Sequence, residues 1–242
     1  MDLSGWQGLL GVKIYIVTVC LNANEALRAT IESINALRTK DVYYLVVDGN
    51  SNDGTKETLI GSSGLIDRWI SEPDQGIYDA MNKAISLLPP EEGHVLFLGA
   101  GDKLVALPTP QECEPRAVLF GNVQIGDRTF VSSIGWKLKM GNTLHHQGLF
   151  VPRSVLTGEG FDVRFKIFAD FDLNQRLCKR NIPFQALNKT IAFATPGGVT
   201  WRRPAFEMLD IARKNYGILW ACAARLWSEY RRLRQHLLGR SW

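Results

Sequence analysis

Three features of the sequence predict an α/β fold, with a mostly parallel central sheet flanked by helices and a helical extension at the C-terminal end. Short β-branched apolar runs alternate with segments of helical period from Lys13 to Leu98. Polar, glycine-containing loops follow those runs. From Pro204 onward the pattern turns to aromatic and basic residues at helical spacing.

Taken in order, Lys13 to Val19 (KIYIVTV) and Tyr43 to Val47 (YYLVV) read as buried strands. Between them, Asn24 to Leu37 places Leu27, Ile31 and Ile34 on one helical face, which predicts a parallel pair joined by a right-handed crossover. Asp53 opens a second helix through Leu59, and Leu65 to Ser71 contributes a short extended piece. Gly76 to Leu88 is a third helix, and His94 to Leu98 a further buried strand. Beyond Asp102 the chain is rich in proline as far as Pro115, with strand candidates at Ala117 to Val123 and Arg128 to Ser132 around a Gly-Asp turn. Residues 170 to 180 read as a helix, with Phe171, Leu173 and Leu177 as its contacts, and a mostly helical segment from about Pro204 to Leu238 closes the chain. Two units follow: a domain of residues 1–203 and a basic amphipathic tail of residues 204–242.

Composition narrows the class. The chain has 242 residues, 45% hydrophobic and 21% charged, which suits a packed globular domain and not a disordered chain. Its four cysteines, Cys20, Cys113, Cys178 and Cys222, form no CxxC pair, so neither a zinc ribbon nor a disulfide framework is expected. Residues 1–12 lack the features of a secretory leader, and the expected location is cytoplasmic. The net charge of +4 is uneven: Trp201 to Trp242 carries nine Lys/Arg against three Asp/Glu, or +6, which leaves −2 for the body. An acidic body with a basic, Trp-containing tail argues against a general nucleic-acid binder.

In open sheets of this kind, ligands bind beyond the carboxyl ends of the strands. After Val47 comes DGNSNDGT, after Ile70 comes SEPDQGIYDAMNK, and after Leu98 comes GAGD. Like charges gathered on one sheet edge repel unless a cation or hydrogen-bonding ligand joins them. Hard cations such as Mg2+ and Mn2+ take oxygen ligands, so Asp102 is either a metal anchor or a turn aspartate. Asp48, Ser51 and Asp53 suit contacts to a base and ribose, although Asp53 equally suits a helix cap. Neither a dinucleotide fingerprint nor a P-loop occurs.

The strings Val47-Asp48-Gly49-Asn50-Ser51-Asn52-Asp53-Gly54-Thr55 and Ser71-Glu72-Pro73-Asp74-Gln75-Gly76-Ile77-Tyr78-Asp79-Ala80-Met81-Asn82-Lys83 together resemble the inverting glycosyltransferases of family 2. The likeness is to the bacterial branch that builds capsule, exopolysaccharide and lipopolysaccharide. It covers roughly residues 13–200 and is weaker between Lys103 and Asn142. The resemblance implies a GT-A fold and a nucleotide-diphospho-sugar donor, a UDP-sugar by default. It implies that Thr18, Asn22, Asp48 and Ser51 hold the nucleoside, and that Asp74, Gly76, Asp79, Asn82 and Lys83 line the diphosphate-sugar pocket. Asp79 and Lys83 also fit an ordinary i,i+4 helix pair. The metal motif of the family is reduced here to Gly99-Ala100-Gly101-Asp102, with only the last aspartate retained, which implies a divalent cation (Mn2+ or Mg2+) held by Asp102 together with the donor diphosphate. His146, in a His-Gln pair of this branch, is implied to contact metal or diphosphate, its alternative being a hydrogen-bonded loop histidine. Asp170, in Ala169-Asp170-Phe171-Asp172-Leu173, matches the catalytic base, although both aspartates also suit a helix cap.

The implied reaction is transfer of a sugar to a hydroxyl of a glycan or polyprenyl-diphosphate-linked acceptor. A non-catalytic scaffold built on a degenerate transferase fold is the competing expectation, supported by the thinned metal motif. The tail is expected either to lie on the cytoplasmic face of the inner membrane, as a peripheral attachment, or to pack on its own domain or on a second copy in a homodimer.

Overall fold

The computed structural model describes residues 12–196 and 205–237. The elements run β1 (Lys13–Cys20), α1 (Asn24–Ala36), β2 (Val42–Asp48), α2 (Thr55–Gly61), β3 (Arg68–Ser71), α3 (Ile77–Leu87), β4 (Gly93–Phe97), β5 (Lys103–Leu104), β6 (Val118–Ile125), β7 (Arg128–Phe130), β8 (Leu149–Pro152), α4 (Arg153–Glu159), α5 (Ala169–Lys179), β9 (Phe184–Ala194), α6 (Ala205–Tyr216) and α7 (Ile218–Leu237).

The nine strands form one sheet in the order β3-β2-β1-β4-β8-β6-β9-β5, with β7 added beside β6. The four N-terminal strands are parallel, as their helical crossovers require. β8 then enters antiparallel to both β4 and β6, while β6 and β9 run parallel to each other. Because side chains alternate across a sheet, β1 feeds two cores. Tyr15, Val17 and Val19 join Met81 of α3 and Phe171 of α5 on one face; Ile14 and Ile16 join Leu27, Ile31 and Ile34 of α1 on the other.

Most expected elements are present near their expected limits. The C-terminal segment is a helical hairpin broken at Gly217, whose φ of 90° favours glycine. It also does not stand apart from the domain. On α6, Glu207 accepts from the Lys166, Ile167 and Phe168 N–H groups at 2.6, 2.9 and 2.8 Å, immediately ahead of α5. Lys214 donates to Asp172 at 2.8 Å and to Asp162 at 2.9 Å. Through those contacts α6 packs on the domain and supplies partners for the otherwise free N–H groups before α5, the packing that is one of the two uses expected of the tail. The expected boundary residues themselves lie outside the described residues.

Candidate active site

The carboxyl ends of β1, β2 and β3 and the loop after β4 meet along one edge. Asp48, at the end of β2, is fully buried. It accepts from the Ser51 N–H at 3.0 Å and the Ser71 hydroxyl at 2.6 Å, and is also bonded to the Ser51 hydroxyl. Ser51 Oγ in turn accepts from the Asn22 N–H at 2.7 Å. Thr18 is likewise fully buried, its Oγ1 3.1 Å from the Tyr44 hydroxyl. Thr18, Asp48 and Ser51, expected to hold a nucleoside, are here buried as a polar brace beneath the loop. The polar groups left at the surface here are Asn22, Asn50, Asn52 and Asp53. Asp53 ties two helices together, accepting from the Asn24 N–H at 3.1 Å and from Thr55 N–H and hydroxyl at 3.1 and 2.5 Å.

The next loop closes on the first. A Cβ on Gly49 would lie 2.5 Å from Asp74 Oδ2, so a side chain at this position would push the Asp74 carboxylate aside. Asp74 also accepts from the Gly76 N–H at 2.8 Å, and Gly76 takes a φ of 123° as the chain turns into α3. Asp79 accepts from the Gln75 N–H at 2.9 Å. Lys83 donates to the Pro73 carbonyl at 2.6 Å and pairs with Glu72 at 2.9 Å, with Asp79 farther off at 3.9 Å. Asn82, expected to line the diphosphate-sugar pocket, spends both ends of its amide on the Phe161 backbone, at 2.9 and 2.8 Å, and clips α3 to the α4–α5 loop. A shallow depression at the start of α3 is lined by Gln75, Gly76, Asp79, Phe165 and Lys166. Lys166 adds a cation at that edge which the sequence motifs did not mark.

Asp102 is buried and accepts from the Gly99 N–H at 2.9 Å, the Thr195 N–H at 2.9 Å and Gln147 Nε2 at 2.6 Å. Gln147 Oε1 is sealed from solvent without a partner. Among the described residues no three His, Cys, Asp or Glu side chains gather as a metal cage. Asp102 and Gln147 Oε1 are hard-oxygen groups of the kind a divalent cation takes, but Nε2 and not Oε1 faces the carboxylate and both Asp102 oxygens already accept N–H donors, so holding a cation would require these side chains to turn.

Asp170 lies in the first turn of α5, where the helix dipole favours a negative charge. Asn142 Nδ2 donates to its Oδ2 at 3.0 Å, and the Tyr78 hydroxyl lies 3.1 Å from Oδ1 and 2.7 Å from the Ile167 carbonyl. His146 Nδ1 stands 3.6 Å from Oδ2. Burial would raise the Asp170 carboxyl, but His146 beside it, His145 behind it and the Phe171 N–H outweigh that and hold it below the usual range. Tyr78 is pushed well above the usual phenol range by burial and by the Asp170 charge, so it stays a donor. Sequence reasoning missed Asn142 and Tyr78 in this role.

His145 stacks on His146 with centroids 5.3 Å apart, and its Nδ1 is sealed without a partner. Burial, with the neighbouring His146 adding to it, lowers His145 to about 3. In the unfolded chain an imidazole titrates near 6.5. Below that pH the unfolded chain takes a proton that the folded ring refuses. This contribution to stability is therefore complete above about pH 6.5 and lost as pH falls towards 3, at up to about 1.4 kcal/mol per pH unit. His94, lowered by burial, acts with the same sign. Urea denaturation is expected to give a lower stability at pH 5 than at pH 7.5, and His145→Asn is expected to narrow the difference; an unchanged difference would remove His145 from this account.

A mixed α/β sheet whose strand-end loops gather carboxylates beside a glycine-started helix is the architecture of the GT-A nucleotide-diphospho-sugar transferases. Solved structures agree on that fold. The chain matches S. aureus TarS 1–349 in complex with UDP at a TM-score of 0.60 and 12% identity, over 84% of this chain and 65% of that one, and 39% of a longer TarS chain. It matches the mannosyltransferase PcManGT from Pyrobaculum calidifontis, in complex with GDP-Man and Mn2+, at 0.60 and 14% identity over 88% and 73%. It also matches glucosyl-3-phosphoglycerate synthase from Mycobacterium tuberculosis with Mn2+ and UDP, at 0.53 and 17% identity. No protein-family model matches the chain. In sequence it is 30% identical over 175 residues to the PGL/p-HBAD biosynthesis glycosyltransferase of Mycobacterium bovis (strain BCG), a span of 66% of this chain and 68% of that protein, and equally to that of Mycobacterium tuberculosis. The chain belongs to the glycosyltransferases.

Proposed function

We propose that the chain is an inverting glycosyltransferase of family 2, moving a hexosyl or related sugar from a nucleotide-diphosphate sugar, a UDP-sugar by default, to a hydroxyl of a glycan or polyprenyl-diphosphate-linked acceptor in bacterial surface polysaccharide synthesis. One observation carries it: consecutive residues touch the two functional acids. His146 stands at 3.6 Å from Asp170, and Gln147 donates to Asp102 at 2.6 Å, so one short stretch of chain reaches both carboxylates, which supports their working together.

In this reading the acceptor oxygen attacks the anomeric carbon while Asp170 takes its proton, and the bond to the nucleoside diphosphate breaks on the opposite face. Configuration inverts in that one displacement, and the products are the glycoside and a free nucleoside diphosphate. Asn142 and Tyr78 aim the carboxylate, and the α3 end with Lys166 faces the phosphates. Asp102 and Gln147 would hold a Mn2+ or Mg2+, which supplies Lewis-acid stabilisation of the departing diphosphate. The protein works in the cytoplasm as a peripheral protein on the inner face of the inner membrane, held there by its basic C-terminal end; a homodimer is the competing use of that end.

The purified chain, given UDP-, GDP- and dTDP-sugars with Mn2+, is expected to release the nucleoside diphosphate from at least one donor. The same nucleotide is expected to raise the melting temperature, since a ligand that binds only the native state stabilises it. No release and no thermal shift with any donor would overturn the enzyme and leave a scaffold.

A further inference from the structure

We propose that α7 and the loop carrying Trp136 form one face that docks on an anionic lipid bilayer, and that this loop brings the catalytic base to the bilayer side. This rests on the membrane part of the function proposed above and says which surface does the work.

Helix α7 is apolar on two opposite sides. Inward, Ala221 and Ala224 are buried, with Ala224 and Trp220 packing on Met140 and Ala212. Outward, Leu219, Leu226, Tyr230 and Leu233 form a stripe at spacings that keep them on one face, with exposures of 81%, 72%, 53% and 63%. A helix apolar on its solvent side is waiting for a second apolar phase. The stripe does not end with the helix. Tyr230 meets Trp227 at 5.8 Å, Trp227 meets Trp136 at 6.3 Å, and Ile134 and Val131 of the same loop are exposed as well. The sequence reading confined the membrane contact to the tail; the ring contacts extend it to a loop about 90 residues earlier in the chain.

Charge decides the occupant. Lys137 lies 5.9 Å from the Trp227 ring and is exposed, Lys139 lies 4.7 Å from the Trp220 ring, and Arg225 is exposed beside Leu226. The α7 sequence holds Arg225, Arg231, Arg232 and Arg234 against Glu229 alone. A second copy would bring two basic helices together along their length, whereas anionic headgroups complement them. Among the described residues no helix is long and apolar enough to cross a membrane, so the contact is with the surface. From Trp136 the chain runs through Leu138, whose carbonyl accepts from Gln175 of α5 at 2.9 Å, to Asn142 on the base. An acceptor hydroxyl on a lipid would meet Asp170 within a few residues of the lipid contact.

Flotation of the full chain with vesicles tests this. Binding is expected to phosphatidylglycerol/phosphatidylcholine vesicles and to be much weaker on phosphatidylcholine alone. Trp136→Ser and Leu226→Ser are each expected to weaken partitioning about tenfold, the loss of one large apolar contact, with release of nucleotide from a soluble donor unchanged. Equal partitioning of wild type and both variants would overturn the proposal, as would equal binding to neutral vesicles. So would a micromolar dimer in sedimentation velocity that Leu226→Ser dissolves, which would assign the face to a second copy. A wild-type chain that turns over donor but binds no anionic vesicle defeats this face alone, whereas a wild-type chain that binds the vesicles but turns over no donor defeats the transferase.

Discussion

Asp170→Asn is expected to lower the turnover of sugar transfer roughly a thousandfold, the scale of a lost general base, while fold and nucleotide binding persist. The amide has nearly the shape of the carboxylate and remains within reach of Asn142 and Tyr78, so packing around α5 has no reason to change. What disappears is the ability to accept a proton. The wild-type carboxyl is held below its usual range, so it is ionised and ready at neutral pH. Steady-state kinetics beside a thermal-shift titration with the product nucleotide separate the two properties. A variant that keeps more than about a tenth of wild-type turnover would remove Asp170 from the role of base.

How much of this was legible in the sequence depends on the range of the interaction. β1, β2 and β4 declared themselves because they are buried on both faces and carry unbroken apolar runs. β9 did not: Asn188 takes a φ of 49° and the register against β6 shifts around Asn122, so no alternation survives over FQALNKTIAFA. β8 is four residues long and follows directly on the His146 turn, too short to show a period. In the site, the motif residues fall on loops that meet at one sheet edge, but their spacing does not say which way their atoms point. Asp48 and Ser51 stand where the likeness puts them, yet they point into the loop and satisfy one another, a distinction no spacing carries. Asn142 fell inside the segment where the likeness is weakest, and Glu207 acts across about 40 residues on backbone N–H groups that have no side-chain signature.

The two aspartates of Ala169-Asp170-Phe171-Asp172-Leu173 look alike in sequence and are expected to fail in opposite ways. Asp172 has no exposure to solvent, and its oxygens are taken by Arg176 Nε at 2.8 Å, Lys214 Nζ at 2.8 Å and Asn215 Nδ2 at 3.0 Å. Arg176 also reaches Glu159 and the Gly160 carbonyl, so one buried carboxylate joins α4, α5 and α6. Removing one member of such a network leaves the others with charges they cannot match, at a cost of about 3–5 kcal/mol. Asp172→Ala is therefore expected to lower the melting temperature by roughly 10 °C in a chain of this size. Assayed well below its own melting point, the variant is expected to keep far more turnover than Asp170→Asn, because Asp172 faces the helices and not the cleft. If Asp172→Ala proved as stable as wild type but inactive, the base would be Asp172, and the geometry around Asp170 would need another explanation.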